Sequence, residues 1–374
     1  MVTSTSRAFG SPFRYVQGPG EISNISEYVS LYGNRIFMVI DRFLYEKMCA
    51  LFDEIFNGTG CTYETVKFGG ECTEDEIDRI TALASESGAQ IIAGIGGGKT
   101  LDTVKFAGAR NSMTTFIIPT SASTDAPTSS LSVVYNEKGE HLYSSSHNTG
   151  SALILVDSRI IADAPLRLFA AGIGDALSTY YEARANAQSD TANYIGKGYR
   201  RTNAAMAIAR ECKDVLFRDA PAAVRDLKHG ALTDAVENVI EANILLSGLG
   251  FENTGCAGAH SLHTGIHEIP GTDKYLHGEM VAMGVVFQLI LENDKEDELD
   301  DVLDLLTEVG LPVTLSQIGV DPTPENLATV AAKITDGNSG IEAEPFLVNY
   351  DTVYNALIAA DAAGREWIGE EYEE

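Results

Sequence analysis

The chain has 374 residues, of which 26 are basic and 54 are acidic, so the formal net charge at pH 7 is −28. Such a charge repels nucleic acids and anionic lipid surfaces, which makes both poor partners. The length is enough for two domains, and the 44% share of hydrophobic residues predicts a globular, ordered chain. The acidic balance is typical of the solvated surface of proteins from a high-salt, halophilic cytoplasm, and an acidic surface used for binding is the alternative.

The first 160 residues alternate between strand and helix patterns. Short apolar runs predict strands at 35–41, 63–68, 91–95, 114–120 and 152–157, and helical spacing predicts helices at 74–87 and 99–109. Residues 130–144 are typical of a hairpin that turns near Glu137. This alternation predicts a Rossmann-like α/β domain with a doubly wound, mostly parallel sheet.

After Pro165 the pattern changes to Ala-rich helical spacing with little β-branched alternation. The predicted helices are 168–188, 203–217, 232–249, 279–294 and 325–336, and the charged tail 364–374 is predicted to be a solvated end. The sequence therefore predicts an all-α C-terminal domain, with domain ranges of 1–162 and 163–374.

The number and spacing of the cysteines indicate the redox environment in which the protein works. Five occur, an odd number without CxxC spacing, at Cys49, Cys61, Cys72, Cys212 and Cys256. This usage disfavours a disulfide framework or a thiolate metal site and favours a reducing environment. The N-terminal residues have no apolar leader pattern, and no apolar run reaches about 18 residues. We therefore expect a soluble, cytoplasmic protein.

The stretch AGIGGGKTLD (93–102) is a glycine-rich turn between a predicted strand and a predicted helix. Its GKT matches the end of a Walker A loop, and Asp157 after an apolar strand resembles a Walker B carboxylate, but Ala93 occupies the position of the first Walker glycine. Alternatively, the glycines let the backbone approach a dinucleotide pyrophosphate at the helix N-terminus. A plain strand–helix turn is the third interpretation.

A polar loop, PTSASTDAPTSSLSVVY (119–135), follows another predicted strand. It places Asp125 at the carboxyl end of the sheet, where open α/β folds bind ligands. An ordinary polar loop is the alternative interpretation.

Four of the seven histidines lie close together in the second half of the chain, at His260, His263, His267 and His277. His260 and His263 share one helix face at i, i+3 spacing. Such clustering predicts a divalent metal site, with zinc favoured by imidazoles and iron possible if carboxylates join them. The spacing leaves the ligand set open, and the absence of HExxH disfavours that type of metalloprotease.

Five segments, in order, carry a family resemblance: GGGKTLDTVK (96–105), PTSASTDAPTSSLSVVY (119–135), GIGDALSTYYEARA (172–185), FENTGCAGAHSLHTG (251–265) and HGE (277–279). Together they resemble the glycerol dehydrogenases of the iron-containing alcohol dehydrogenase superfamily. The resemblance covers nearly the whole chain. It implies a dehydroquinate synthase-like architecture, with an NAD-binding α/β domain followed by a helical domain that binds metal and substrate.

The resemblance also implies a metal ligand set of Asp175, His260 and His277. Iron-type relatives place a histidine four residues after the aspartate, where this chain has Thr179. That departure favours a three-ligand zinc site over iron.

By the same resemblance, a set of residues would hold NAD: Asp41, Gly97, Gly98, Lys99, Asp102, Thr120, Ser123, Ser129, Leu131 and Tyr135. A carboxylate at Asp41 would accept the adenosine ribose hydroxyls and repel a 2′-phosphate, which favours NAD over NADP. Asp125 would lie beside glycerol and the nicotinamide, and His263 would relay a proton or simply pack.

The implied reaction is reversible oxidation of glycerol to dihydroxyacetone, in which zinc polarises the diol and hydride passes to nicotinamide C4. The resemblance further implies a homo-oligomer, an octamer or a dimer. Several alternatives stay open: another vicinal diol, glycerol 1-phosphate, a P-loop NTPase, and a non-catalytic zinc-binding or sugar-sensing protein. Glycerol-1-phosphate dehydrogenases typically show a His–Asp–Gly loop where this chain has STDAP. Dehydroquinate synthases share the fold, but their basic substrate-binding residues are not evident in this sequence.

Overall fold

The computed structural model describes residues 2–147, 149–293 and 296–370. The chain divides into two compact units, Gly10–Pro165 and Met1–Phe9 with Leu166–Glu374. This division differs from the predicted ranges in two places. It falls after Pro165, and the first nine residues group with the helical unit. They do so because the backbone N–H of Ala8 donates to the Arg200 carbonyl at 3.2 Å, a long-range contact that no local pattern reveals.

The strands are β1 (Tyr15–Gly18), β2 (Arg35–Ile40), β3 (Thr62–Lys67), β4 (Ile91–Gly96), β5 (Thr114–Pro119), β6 (Leu131–Tyr135), β7 (His141–Ser146) and β8 (Leu153–Asp157). The helices of the same unit are α1 (Ile25–Ser30), α2 (Tyr45–Phe56), α3 (Glu74–Glu86), α4 (Gly98–Asn111) and α5 (Ser158–Ala162). The helices of the other unit are α6 (Leu166–Ser189), α7 (Asn203–Lys228), α8 (Asp234–Glu241), α9 (Ser247–Thr254), α10 (Gly258–Ile266), α11 (His277–Leu291), α12 (Glu296–Glu308), α13 (Pro324–Ile334) and α14 (Tyr350–Ile368).

In the described part of the Gly10–Pro165 unit, a six-stranded sheet runs in the order β1-β8-β5-β4-β2-β3, and its paired strands are parallel. The interior strands β4 and β8 are buried along their whole length, as their continuous apolar sequences predict. Strands β6 and β7 form a separate antiparallel pair. The parallel sheet and the hairpin are therefore confirmed. Strand β1 was not predicted, because YVQG is half-buried and lacks an apolar run.

The sheet register brings two candidate segments side by side. Ile40 at the end of β2 pairs with Ile95 of β4, and the backbone N–H of Asp41 donates to the Ile95 carbonyl at 2.9 Å. Asp41 therefore emerges next to the glycine turn that follows β4. This adjacency follows from parallel pairing, since neighbouring parallel strands end at the same edge.

The helical unit is built around α6, a 24-residue helix that is buried over most of its length. The predicted helices match α6, α7, α8 with α9, α11 and α13, although residue 294 of the predicted 279–294 helix lies outside the described residues. A π-helical turn at Ala242–Leu246 joins α8 to α9. Helices α10, α12 and α14 were not predicted.

The prediction of a solvated C-terminal tail is confirmed at Glu366, Trp367, Gly369 and Glu370, which are exposed, and is wrong at Gly364, which is buried. Residues 364–368 are helical. These residues end α14, and Gly364 is buried with its Cα facing the Val313 carbonyl. Residues 371–374 of the tail lie outside the described part. No described helix is both long enough and apolar enough to cross a bilayer. The five cysteines are free thiols.

Candidate metal centre and cofactor loop

Three metal-ligand side chains converge in the helical unit. The Oδ1 atom of Asp175 on α6 lies 3.1 Å from Nε2 of His277, the first residue of α11, and 3.6 Å from Nε2 of His260 on α10. One ligand atom from each residue lies within 4.8 Å of the others. The Asp175 side chain is only 1% exposed. The structure thus brings together the three residues that the resemblance implied as metal ligands.

These distances fit a zinc ion. Tetrahedral zinc with bonds of about 2.0–2.1 Å separates neighbouring ligand atoms by roughly 3.3 Å. The two measured separations from Asp175 bracket that value. Two imidazole nitrogens and one carboxylate oxygen are also a donor set that zinc accepts, with a fourth position left for substrate or water.

Two glycines permit this convergence. Gly174 precedes Asp175, and Gly278 follows His277. A Cβ atom on Gly278 would lie 1.8 Å from the Ala171 carbonyl oxygen, and one on Gly174 would lie 2.3 Å from the Gly278 carbonyl oxygen. Helices α6 and α11 therefore approach backbone to backbone beside the candidate ligands, which no residue with a side chain would allow.

The imidazole of His260 is held from its other side. Its Nδ1 lies 2.7 Å from Oε2 of Glu182, a fully buried carboxylate on α6. Burial lowers the pKa of His260, but the nearby Cys256 and Glu182 outweigh that effect, so the pKa lies well above its usual value. A divalent cation at Nε2 would compete with that proton.

A row of imidazoles runs from His277 toward the exterior. The Nδ1 atom of His277 lies 3.0 Å from Nε2 of His263, and Nε2 of His263 lies 3.0 Å from Nε2 of exposed His267. His263 is therefore in contact with a candidate ligand and is not part of the converging ligand set. His267 is a surface end of the row.

Thr179 occupies the position one turn after Asp175. Its side chain is buried, its hydroxyl lies 2.8 Å from the Ser247 hydroxyl, and its methyl group packs beside Gly250. The Thr179 hydroxyl therefore contacts α9. Because it points to Ser247, this position does not supply a fourth protein ligand to the metal.

A second group of ligand-type atoms shares His260. Glu182, Cys256 and His260 also present atoms within 4.8 Å of one another. Burial raises the pKa of the Cys256 thiol, although the neighbouring His260 opposes that effect. Sequence reasoning missed Glu182, although its spacing of seven residues from Asp175 places both on one face of α6 and was a usable signal.

In the other unit, the glycine turn lies against Asp41. A Cβ atom on Gly96 would lie 3.1 Å from the Asp41 Cβ atom, and the Thr120 N–H donates to the Gly96 carbonyl at 3.1 Å. Gly97 precedes α4 and has open space on its Cβ side, whereas Gly98 begins α4 and faces Thr124 and Ala126. The turn thus places the N-terminus of α4, where anions are favoured, beside the carboxylate of Asp41.

Lys99 has partners of its own. Its Nζ lies 2.5 Å from Oε2 of Glu71 and 4.9 Å from the centre of the Tyr135 ring. The cation is therefore shared with a carboxylate that sequence reasoning did not single out. A pyrophosphate near α4 would meet this ion pair and not an isolated lysine.

Asp102 is buried, and its carboxylate contacts a lysine and a backbone N–H of its own unit. Its Oδ1 lies 2.8 Å from Nζ of Lys105, and its Oδ2 accepts the Val133 N–H at 3.0 Å. Lys105 also donates to the carbonyls of Ala126, Ser129 (3.2 Å) and Leu131. The pair therefore anchors the polar loop and β6 to α4. Lys105 was missed, although its i, i+3 spacing from Asp102 was visible in the sequence.

The remaining predicted cofactor and substrate residues lie in this anchored loop. Ser123 hydrogen bonds through its hydroxyl to Ser121 at 3.1 Å, and the Asp125 carbonyl accepts the Thr128 N–H at 3.2 Å. Ser129 and Leu131 contribute their carbonyls to Lys105. The loop is thus organised by its backbone, which leaves several side chains half-buried around the glycine turn.

Comparison with known proteins shows the family of the chain. Residues 12–158 match the iron-containing alcohol dehydrogenase family. A glycerol dehydrogenase of Thermotoga maritima is 42% identical over 356 residues, covering 95% of this chain and 96% of that protein. A glycolaldehyde reductase of Halobacterium salinarum is 39% identical over 361 residues, covering 96% of this chain and 98% of that protein.

A solved structure shows the same fold. The crystal structure of a probable glycerol dehydrogenase from Sinorhizobium meliloti superimposes with a TM-score of 0.90 and 42% identity, covering 96% of this chain and 100% of that one. Identity of this degree over nearly the full length of both chains establishes membership. The chain belongs to the iron-containing alcohol dehydrogenase family, and within it to the group that includes the glycerol dehydrogenases.

Proposed function

We propose that this alcohol oxidoreductase catalyses the reversible oxidation of glycerol to dihydroxyacetone, with NAD as the hydride acceptor and zinc as the metal. The observation that carries the proposal is the convergence of Asp175, His260 and His277 at separations that suit zinc. Close relatives named glycerol dehydrogenase support the choice of substrate.

Asp175, His260 and His277 would hold the metal, and the vicinal diol would take the open side. Zinc, when bound, supplies a Lewis acid that lowers the pKa of the substrate hydroxyl. His263 supports His277 through the 3.0 Å contact between the two rings, which favours a positioning role. A proton relay through His263 stays a prediction.

NAD, when bound, supplies the hydride acceptor. The N-terminus of α4 at Gly97 and Gly98 would hold its pyrophosphate, with the Lys99–Glu71 pair beside it. Asp41 would accept the ribose hydroxyls, and within the described part of the chain its Oδ1 also accepts the nearby Phe43 N–H at 3.0 Å. The rest of the cofactor site would be lined by Thr120, Ser123, Ser129, Leu131 and Tyr135. Asp102 would support the site through its contacts with Lys105 and the Val133 N–H.

Asp125 would orient the diol from the polar loop, which Lys105 holds in place. On this proposal the range 1–162 is the NAD-binding domain and 163–374 is the metal- and substrate-binding domain. A homo-oligomer, either octamer or dimer, and a cytoplasmic location complete the proposal. Free cysteines fit a reducing compartment.

A second candidate reaction is the reduction of a small hydroxyaldehyde. The relative from Halobacterium salinarum is named glycolaldehyde reductase and is 39% identical over 96% of this chain. A hydroxyaldehyde offers zinc the same pair of adjacent oxygens as a diol. The same residues would therefore act in the reductive direction, with NADH as the donor.

The test is NADH absorbance in purified protein. We expect NADH formation with glycerol and NAD, loss of that activity after chelation, and its return with added zinc. His260→Ala should abolish it, whereas His229→Ala, at an exposed histidine outside the cluster, should not. NADP in place of NAD should give a much slower reaction.

Each alternative has its own outcome. Glycerol-dependent NADH formation that survives both chelation and His260→Ala would show that the zinc mechanism is wrong. Faster NADH consumption with glycolaldehyde than with dihydroxyacetone would favour the second candidate. ATP turnover with Mg²⁺ would indicate the P-loop alternative, and tight zinc binding without turnover would indicate a binding protein.

A further inference from the structure

Two carboxylates on α6 contact opposite nitrogens of one imidazole. Asp175 and Glu182 are seven residues apart, which places them on the same helix face about two turns apart. His260 lies between them, with Nε2 3.6 Å from Asp175 Oδ1 and Nδ1 2.7 Å from Glu182 Oε2. Of the two contacts, only the one with Glu182 is short enough to be a direct hydrogen bond.

Glu182 also holds the backbone that carries His260. Its Oε1 accepts the N–H of Ala257 at 2.7 Å and the N–H of His260 at 2.9 Å. Ala257 is the residue that precedes α10, and its side chain has no cap to offer. The buried carboxylate of Glu182, on α6, therefore accepts N–H groups at the start of α10 that an N-cap side chain would otherwise accept. One side chain thus orients both the first turn of α10 and the ring of His260.

These contacts decide which ring nitrogen has a free lone pair. A carboxylate only accepts hydrogen bonds, so a neutral His260 donates Nδ1–H to Glu182 and keeps the lone pair on Nε2. That nitrogen faces Asp175 and His277. The competing group of Glu182, Cys256 and His260 would need the lone pair on the other nitrogen, Nδ1, which the hydrogen bond occupies.

We propose that Glu182 is a positioning residue that commits His260 to the Asp175–His277 metal site and keeps its Nδ1 from serving as a ligand beside Cys256. The inference rests on the proposed zinc site. It does not depend on which substrate is oxidised.

The isosteric variant Glu182→Gln tests the inference. The N–H groups of Ala257 and His260 cannot reverse their role, so the glutamine oxygen should face them and its NH₂ group should face Nδ1. Nδ1 must then accept, the hydrogen moves to Nε2, and the ring presents the wrong nitrogen to the metal. We expect zinc affinity, measured by competition with a chromophoric chelator, to fall about 10–100-fold.

Two further variants serve as controls. Asn186→Ala removes a part-buried hydrogen bond, in which the Asn186 side chain, one turn beyond Glu182 on α6, donates to the Cys256 carbonyl at 2.9 Å. It should lower the melting temperature of the metal-free protein and leave zinc affinity within about twofold. Cys256→Ser should also leave zinc affinity nearly unchanged. If Glu182→Gln does not fold, Glu182→Asp is the substitute, since its shorter side chain cannot reach both the ring and the amides.

Three results would overturn the inference: zinc affinity unchanged in Glu182→Gln, an equal loss in Asn186→Ala, or a tenfold loss in Cys256→Ser. The last would place the metal at the Glu182–Cys256–His260 group. The zinc competition uses neither glycerol nor NAD. A protein that binds zinc as expected but does not oxidise glycerol would therefore refute the proposed function and leave this inference standing.

Discussion

Gly174 and Gly278 meet backbone to backbone where α6 crosses α11, with a hypothetical Cβ atom of Gly174 only 2.3 Å from the Gly278 carbonyl oxygen. Each glycine is the chain neighbour of a candidate ligand, Asp175 or His277. The spacing between those ligands therefore depends on two residues that have no side chain. In the pairs Gly174–Asp175 and His277–Gly278, the glycine is therefore explained by helix packing and its neighbour by metal binding.

We expect Gly278→Ala to weaken zinc binding and to destabilise the protein. Its Cβ atom would lie 1.8 Å from the Ala171 carbonyl oxygen, so the helices must separate and Asp175 must move from His277. Overpacking of this kind costs about 1–3 kcal/mol or more in the free energy of unfolding. Zinc competition and thermal unfolding would measure the two effects.

Gly364→Ala is the matched control for that change. Its Cβ atom would also lie 1.8 Å from a backbone carbonyl oxygen, that of Val313, but neither residue adjoins a candidate ligand. We expect it to lower stability by a similar amount and to leave zinc affinity unchanged. Equal zinc affinities for Gly278→Ala and the native protein would contradict the role assigned to the crossing.

Lys105→Met should destabilise the Gly10–Pro165 unit strongly. The lysine side chain is 3% exposed and is surrounded by Asp102 and the carbonyls of Ala126, Ser129 and Leu131. Its removal leaves a buried carboxylate without its cation, which costs roughly 3–5 kcal/mol. Urea unfolding would measure the loss. We also expect weaker NAD binding, since the polar loop loses its anchor.

The control for this prediction is Lys47→Met. Lys47 also pairs with an aspartate, Asp163, but both side chains are more than 60% exposed, at 64% and 70%. Exposed pairs contribute about 0–1 kcal/mol, so little change is expected. A Lys105→Met protein as stable as Lys47→Met would show that the buried pair is not the anchor. Adding Asp102→Asn to Lys105→Met should recover part of the lost stability, because the uncompensated charge is removed.

His147 should make folding stability sensitive to mild acid. Its ring packs edge-on against Phe106, its Nε2 lies 2.9 Å from the Ser132 hydroxyl, and burial, with a smaller contribution from Lys105, lowers its pKa to about 4. An unfolded histidine has a pKa of about 6.5. Between these values the unfolded chain binds a proton that the folded protein excludes. Stability is therefore fully present above pH 6.5 and falls as the pH drops toward 4.

Urea unfolding at several pH values between 7 and 4.5 would measure this dependence, with His147→Gln as the comparison. Carboxylates titrate in the same range in both proteins, so the difference between the two curves isolates the histidine. We expect the variant to lose less stability on acidification than the native protein. Parallel curves would contradict the prediction.

The local pattern of the sequence was sufficient for much of the fold. Apolar strands such as β4 and β8 and the long helix α6 follow from side-chain periodicity, which is set by the backbone of each segment alone. Short or strongly acidic helices such as α10 and α12 were not predicted, because their hydrophobic periodicity is weak. Family resemblance supplied the three metal ligands, since spacing by itself had not decided which of four histidines bind and had not indicated Asp175.

What the sequence by itself determined was therefore the order of elements, the parallel sheet, the glycine turn and the histidine-rich segment, all of which follow from neighbouring residues. Tertiary structure decided how those residues are used. It directed Asp102 to Lys105, paired Lys99 with Glu71, and set Glu182 against His260. Such partners are chosen by how closely helices and loops approach in space, and that approach depends on packing between segments distant in the chain, as the contact of Gly174 with Gly278 shows.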